Sequence, residues 1–314
     1  DTCLNDTIDN SSALNTEAVL YLKFNNNSHY GETDQVVCDF SGHRNDGFVS
    51  GAIWNKSGGP FQDGAFEFNG NSEINIPDTP YLSPNTTGQL SVSFWLKPST
   101  FNFVGGSDTS AKNAIHFLGK YSTNGDNREW YFRIYNSTAV DGVSRSKRIS
   151  FYVFSLAGSL GTGSYFQDDL KENEWIHIIG IINNTHVFIY KNGVLRDSDP
   201  LSNYNVTMEN GNASLSIGRY DSDYLSLIGS IDELRVYNRT LNSSEIEELY
   251  VLKPLSNTDN QTSNNSIIVD NSTNNGSTHT RSSRSGSNII KSVSVNSSAN
   301  PINNSFENST NMTA

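Results

Sequence analysis

The residues with the clearest capacity for chemistry are the oxygen-bearing ones of Asp39-Phe40-Ser41-Gly42-His43-Arg44-Asn45-Asp46-Gly47. A hard cation takes six to eight oxygens from carboxylates, amides and backbone carbonyls, on a loop that bends tightly enough to aim several of them inward. Asp39, Asn45 and Asp46 offer side-chain oxygens, and Gly42 and Gly47 offer the bends. The expectation is a calcium loop using Asp39 and Asn45 with carbonyls near Gly42 and His43. The same spacing also suits plain Asx-turns, in which Asp39 and Asn45 do no more than bond their own backbone.

Other reactive constellations are missing. The six histidines (His29, His43, His116, His177, His186, His279) contain no pair at zinc-ligand spacing. A retaining glycosidase needs two carboxylates about 5 to 5.5 Å apart. Glu73 stands alone in its apolar run, and Asp232 and Glu233, as neighbours in a strand, are expected to point to opposite faces. Ala157-Gly158-Ser159-Leu160-Gly161 echoes a nucleophile elbow but does not join a strand to a helix. The chain therefore reads as non-enzymatic, with no catalytic residues. Trp130, Tyr131, Tyr152, Tyr165, Phe166, Tyr220 and Tyr224 are the aromatics that could stack on sugar rings, although much of that set is also expected in a core.

Two cysteines, Cys3 and Cys38, allow one internal pairing, the alternative being two buried thiols. Closing a loop of about 36 residues is worth roughly 3 to 4 kcal/mol in the chain-entropy account. Sequons for N-glycosylation begin at Asn5, Asn10, Asn26, Asn55, Asn85, Asn136, Asn183, Asn205, Asn212, Asn238 and Asn242. They continue at Asn260, Asn264, Asn271, Asn275, Asn296, Asn303, Asn308 and Asn311. They fall in turns and tail rather than in apolar runs, so the expectation is a secreted, extracellular cell-surface glycoprotein.

The elements that must position these residues are strands. Charged residues are only 17% of 314 and aromatics 11%, which disfavours long helices. Short apolar runs recur between turn signals, among them Leu90 to Leu96, Trp130 to Tyr135, Ile149 to Phe154, Trp175 to Ile182, His186 to Tyr190 and Ile228 to Tyr237. Asn192-Gly193 predicts a type I′ hairpin turn, and Asn69-Gly70 a similar one between Phe66/Phe68 and Ile74/Ile76. One helix is predicted over Ser243 to about Val251, capped by Asn242 and stopped before Pro254. Of the 60 residues after Pro254, 36 are Ser, Thr or Asn, too polar to offset their own ordering entropy. Within that tail Ile289, Ile290, Val293 and Val295 alternate as a lone strand would, with a smaller cluster at Ile267 to Val269.

The net charge of −12 leaves no basic footprint for nucleic acid. The longest apolar stretches, about eight residues, fall far short of the roughly 20 a membrane span needs.

The order of motifs resembles the laminin-G-like, concanavalin-A-like jelly-roll domains. Leu20-Tyr21-Leu22-Lys23-Phe24, the Asp39 to Gly47 segment and Asp63-Gly64-Ala65-Phe66-Glu67-Phe68-Asn69-Gly70 match its beginning. Val92-Ser93-Phe94-Trp95-Leu96-Lys97-Pro98, Trp175-Ile176-His177, Tyr190-Lys191-Asn192-Gly193 and Gly229 to Leu241 followed by Glu245-Ile246 match its later part. The resemblance covers about residues 18 to 251, with long inserts at 101–127 and 141–173. It implies an all-β, two-sheet antiparallel sandwich, and adds Asp232 to the calcium ligands as a staple between first and last strands. The expected organisation is an arm (1–17), a jelly roll (18–253) and a glycosylated tail (254–314). The main functional expectation is a structural subunit of a surface filament or layer, joined to copies of itself through Ile289 to Val295. The alternative is a carbohydrate-binding adhesin or lectin-like module, whose partners are surface glycans. A remote alternative is an accessory domain of a glycan-processing system.

Overall fold

The computed structural model describes residues 3–4, 8–9, 11–103, 114–122, 127–135, 145–156, 161–219 and 226–251. By its contacts the chain divides into Asp1–Thr262 and Ser263–Ala314, and the described residues all belong to the first unit.

Sixteen strands and two helices occur among the described residues. The first half holds α1 (Ala13–Thr16), β1 (Leu20–Leu22), β2 (Val36–Val37), β3 (Gly47–Ser50), β4 (Ile53–Asn55), β5 (Ala65–Asn69), β6 (Glu73–Ile76), β7 (Leu90–Pro98) and β8 (Ala114–Ser122). The second holds β9 (Asn127–Tyr135), β10 (Ile149–Phe154), β11 (Gly161–Phe166), β12 (Ile176–Ile182), β13 (His186–Lys191), β14 (Val194–Pro200), β15 (Leu215–Ile217), β16 (Ile228–Tyr237) and α2 (Ser243–Val251). The first sheet runs β14-β13-β12-β7-β16-β5-β4 with β1 also on β16, and the second runs β11-β10-β9-β8-β15-β6-β3-β2. The strands of both sheets pair antiparallel, so the expected jelly-roll sandwich is the fold.

Period-two burial explains the layers. Trp130, Phe132 and Ile134 point into the core while Tyr131, Arg133 and Tyr135 between them take the outer face. Phe94, Phe117, Phe132 and Phe151 pack where the two sheets face each other, Phe94 and Phe132 with ring centroids 4.8 Å apart. The outer face of the first sheet is covered by the arm and α2. There Tyr21, Phe40, Tyr237, Ile246 and Leu249 form a second cluster beside Cys3 and Cys38.

The disulfide between Cys3 and Cys38 is formed and ties the arm to the chain before β3. Asn192-Gly193 makes the expected turn, with φ of +50° and +77°. Asn69-Gly70 does not close a hairpin: β5 and β6 lie in different sheets, so the turn carries the chain around a corner of the sandwich. The helix forms as expected, with the Asn242 side chain accepting from the Ser244 and Glu245 amides and Glu245 accepting from the Asn242 amide. Glycine-rich β11 and the two-residue β2 have too few apolar residues to signal strands. Both are held by ladder bonds to better-marked neighbours.

At one end of the sandwich β14 and β11 are edge strands, and carboxylates occupy that border. Asp197 accepts from the Tyr165 amide, and Asp199 from the Ser164 hydroxyl. Charged groups turned onto an edge discourage pairing with another chain. The proposed assembly residues Ile289, Ile290, Val293 and Val295, together with Ile267 to Val269, lie outside the described residues.

Candidate functional site

The Asp39 carboxylate is met by protein donors. Its Oδ1 accepts from the Tyr21 and Ser41 amides, each at 2.9 Å, and its Oδ2 from the Ser41 hydroxyl and the Asn45 amide, also at 2.9 Å. Four donors use up the carboxylate's acceptor sites. Asn45 gives its side-chain amide to the Val19 carbonyl at 2.7 Å. A side chain on Gly42 would meet Ile8 of the arm, and the His43 ring lies against Tyr81. Asp39 and Asn45 therefore make an Asx-type turn through Gly42 and His43 whose hydrogen bonds hold β1.

Asp232 finds different company. It is fully buried, and neither carboxylate oxygen has a hydrogen-bond partner. A β-bulge in β16 after Asp232, with Glu233 at φ +53°, turns both acids away from the core that Ile231 and Leu234 enter. The two side chains thus share a side of the strand, against the expectation of opposite faces. Burial first, then the charges of Glu233 and Asp63, push the Asp232 carboxyl well above its usual range. Glu233 is held by the Tyr21 hydroxyl and Arg235, each at 2.8 Å. Both acids are too buried to meet a substrate.

Further oxygens lie close to Asp232. Gly59 has φ +82°, and the place its Cβ would take lies 2.2 Å from the Gly64 carbonyl oxygen, 2.9 Å from Asp232 Oδ2 and 3.0 Å from Asp63 Oδ1. These three oxygens, of the class calcium prefers, crowd the open side of Gly59 and so lie near one another. Sequence reading named Asp232 through the family resemblance and missed Asp63. The available signal was the Gly58-Gly59 and Asp63-Gly64 pairs, which mark a tight loop.

A second cluster of cysteine and carboxylate, Cys3, Cys38 and Asp46, is no metal centre, since both sulfurs are spent in the disulfide.

The outer face of the second sheet carries a transverse row. Register pairs place Phe48 opposite Asn75, Asn75 opposite Ser216, Ser216 opposite Gly119, Gly119 opposite Tyr131, Tyr131 opposite Tyr152 and Tyr152 opposite Gly163. The two glycines matter here. A Cβ on Gly119 would come within 2.6 Å of Tyr131 Cβ, and one on Gly163 within 2.4 Å of the Tyr152 ring. Bare backbone lets the rings lie over the neighbouring strands. Tyr121, Tyr131, Tyr152 and Phe154 form one aromatic group, with Tyr121 to Tyr131 centroids 5.0 Å apart and Tyr131 to Tyr152 centroids 5.7 Å apart. Beside Tyr121 opens a pocket of about 430 Å³, walled by amides and hydroxyls of Asn75, Ser122, Asn127, Asn212 and Ser216.

Of the aromatics singled out in the sequence, Tyr131, Tyr152 and Tyr165 are on this face, while Trp130 and Phe166 are core. Tyr220 and Tyr224 lie outside the described residues. Sequons at Asn26, Asn55, Asn85, Asn183, Asn205, Asn212, Asn238 and Asn242 all have their Asn at least partly exposed. Those beginning at Asn5, Asn10, Asn136 and from Asn260 onward (Asn264, Asn271, Asn275, Asn296, Asn303, Asn308, Asn311) lie outside the described residues.

The Laminin_G_3 family, described as the concanavalin A-like lectin/glucanases superfamily, matches residues 68–247. Among solved structures, the botulinum neurotoxin serotype G binding domain is similar at 20% identity and a TM-score of 0.54, covering 74% of this chain and 50% of that one. The serotype D ligand binding domain in complex with N-acetylneuraminic acid is similar at 16% identity and a TM-score of 0.55, covering 76% and 51%. The receptor binding domain of the C/D mosaic serotype gives 16%, 0.53, 74% and 51%. The chain spans about half the length of these structures, and the likeness at such identities is one of fold. No curated protein matches the chain in sequence.

Proposed function

The chain belongs to the concanavalin A-like lectin/glucanases superfamily, and from there we propose that it is a non-catalytic, extracellular carbohydrate-binding module. It would bind surface glycans across the outer face of its second sheet. The observation that carries this reading is the row from Phe48 to Tyr152 with the amide-lined pocket beside it. Stacking rings and hydrogen-bonding amides, set on rigid strands, are what sugar rings and their hydroxyls require. Six strands at about 4.8 Å spacing give a track of roughly 24 Å, room for several sugar rings. The sialic acid complex of a fold relative shows that a chain containing such a sandwich binds a sugar.

Calcium belongs to the same proposal, at Asp232, Asp63 and the Gly64 carbonyl. Bound there it would neutralise the buried carboxylate and fix the Gly58 to Gly64 loop to β16. Self-assembly into a surface filament through the tail rests on residues 254–314 and is a separate proposal.

A glycan array probed with the full chain tests the main reading. Binding to a defined glycan class, weakened about tenfold by Tyr152→Ala, is the expected result, since a well-placed stacking ring is worth about 1 kcal/mol or more. Absence of binding to any glycan would refute it.

A further inference from the structure

The glycan face has a charge that the rest of the chain does not share. In a protein of net charge −12, Arg133, Arg145 and Arg148 all converge on Tyr135, each close enough for its charge to act on that hydroxyl. The Arg133 guanidinium lies 4.5 Å from the Tyr135 ring centroid, 4.8 Å from Tyr152 and 5.8 Å from Tyr131. Arg148 lies 3.9 Å from the Tyr165 ring, with the neutral Gln167 as its side-chain hydrogen-bond partner. Among the described residues no carboxylate is in ion-pair range of Arg133 or Arg148. Surface arginines elsewhere on the domain do have such partners, Arg196 with Asp168 and Arg239 with Glu17 and Glu245.

A second observation coincides with the first. Ser150 on β10 stands directly opposite Arg133 on one side and Tyr165 on the other. Its hydroxyl is fully buried and has no hydrogen-bond partner, and the Arg133 Nε is likewise without one. Buried donors left unsatisfied cost about 1 to 3 kcal/mol each, so two in adjacent positions mark a place where an acceptor is missing. A planar, weakly hydrated guanidinium framed by aromatic rings is the group best suited to take a carboxylate or sulfate in two parallel hydrogen bonds.

We propose that the ligand is an acidic saccharide, whose carboxylate or sulfate docks on the Arg133 and Arg148 guanidinium groups between the rings of Tyr135, Tyr152 and Tyr165, above the buried Ser150 hydroxyl. This rests on the lectin reading above and adds the charge of the ligand and the place where that charge is held. A free anion without the sugar would bind weakly, because the tyrosine rings supply stacking that only a ring can use. Nucleic acid is disfavoured by the repulsion of the remaining surface.

The test compares matched pairs on the full chain by titration calorimetry. 3′-Sialyllactose is set against lactose for the carboxylate source, and chondroitin sulfate oligosaccharides against their desulfated counterparts for the sulfate source. The acidic member of at least one pair is expected to bind tenfold or more tighter than its neutral partner, and this preference should shrink as salt rises. Arg133→Gln and Arg148→Gln should each bring the acidic ligand to within about twofold of the neutral one. Unchanged melting temperatures would show that both variants fold, and Arg196→Gln serves as a control cation away from the site. Binding of neutral glycans with no acidic preference overturns this inference and leaves the lectin reading standing. An acidic preference that survives both arginine variants overturns the assignment to this cluster. Failure of every glycan to bind overturns both.

Discussion

Asp232 Oδ2 lies 2.9 Å from the point where a side chain on Gly59 would begin, and that point is also within 3.0 Å of Asp63 Oδ1 and the Gly64 carbonyl. A buried carboxylate with no hydrogen-bond partner is an expensive feature, and a divalent cation held between the Asp232 and Asp63 carboxylates would turn the expense into a tie between loop and strand.

Chelation is therefore expected to lower the melting temperature, since an ion held only by the folded state stabilises it by about 2.7 kcal/mol at a hundred times its dissociation constant. Asp232→Asn and Asp63→Asn should abolish the response to chelator and to added calcium in differential scanning calorimetry. Asp39→Ala should lower stability equally with and without calcium, because its four hydrogen bonds are to protein donors. Melting curves that do not move with chelator would rule the ion out.

Cys38→Ser, or reduction, is expected to cost about 3 to 4 kcal/mol by the loop-entropy account. It should also loosen the arm that covers β1. Hydrogen exchange should show faster labelling at Tyr21 and Phe40, whose rings pack beside the disulfide.

His177 is expected to contribute a loss of stability in acid. Burial, then the nearby Arg235 charge, pushes its imidazole down to about 3, and its Nε2 meets the Ser93 hydroxyl at 2.9 Å. Below about pH 6.5 the unfolded chain takes up a proton that the folded chain refuses until about pH 3. Stability from this group is present above 6.5 and declines as the pH falls through that window, by at most about 1.4 kcal/mol per unit. Denaturant titrations between pH 7 and 4 should show the decline, and His177→Gln should flatten it.

Truncation after Pro254 is expected to leave a folded, calcium-responsive monomer that no longer assembles, if the tail joins copies of the chain. Electron microscopy and light scattering of both forms decide this. Filaments from the truncated chain would assign the tail to a glycosylated spacer instead.

The alternation of apolar residues made the sheets readable, because a strand buried on one face must alternate, as Trp130 to Tyr135 does. Which sheet a strand joins was not readable, as the Asn69-Gly70 corner shows: a turn signal fixes a reversal of the chain but not the partner that receives it. The disulfide followed from counting. At Asp39 a calcium loop and an Asx-turn ask for the same residues, and only the direction of each lone pair separates them. The proposed binding face escaped for a similar reason. Arg133, Ser150 and Tyr165 are 17 and 15 residues apart along the chain, and only the ladders of β9, β10 and β11 put them in one row.

Asn212 lines the pocket beside Tyr121, its amide is exposed to solvent, and it begins the sequon Asn212-Ala213-Ser214. A sugar attached at that nitrogen would stand in the mouth of the pocket as a built-in occupant. The host in which the chain is made then becomes a variable of its binding behaviour. Material from a cell that attaches N-glycans should present only the arginine end of the face, while unglycosylated material, or Asn212→Gln, offers the whole track. Affinities measured on the two preparations should differ for long neutral oligosaccharides and agree for short acidic ones.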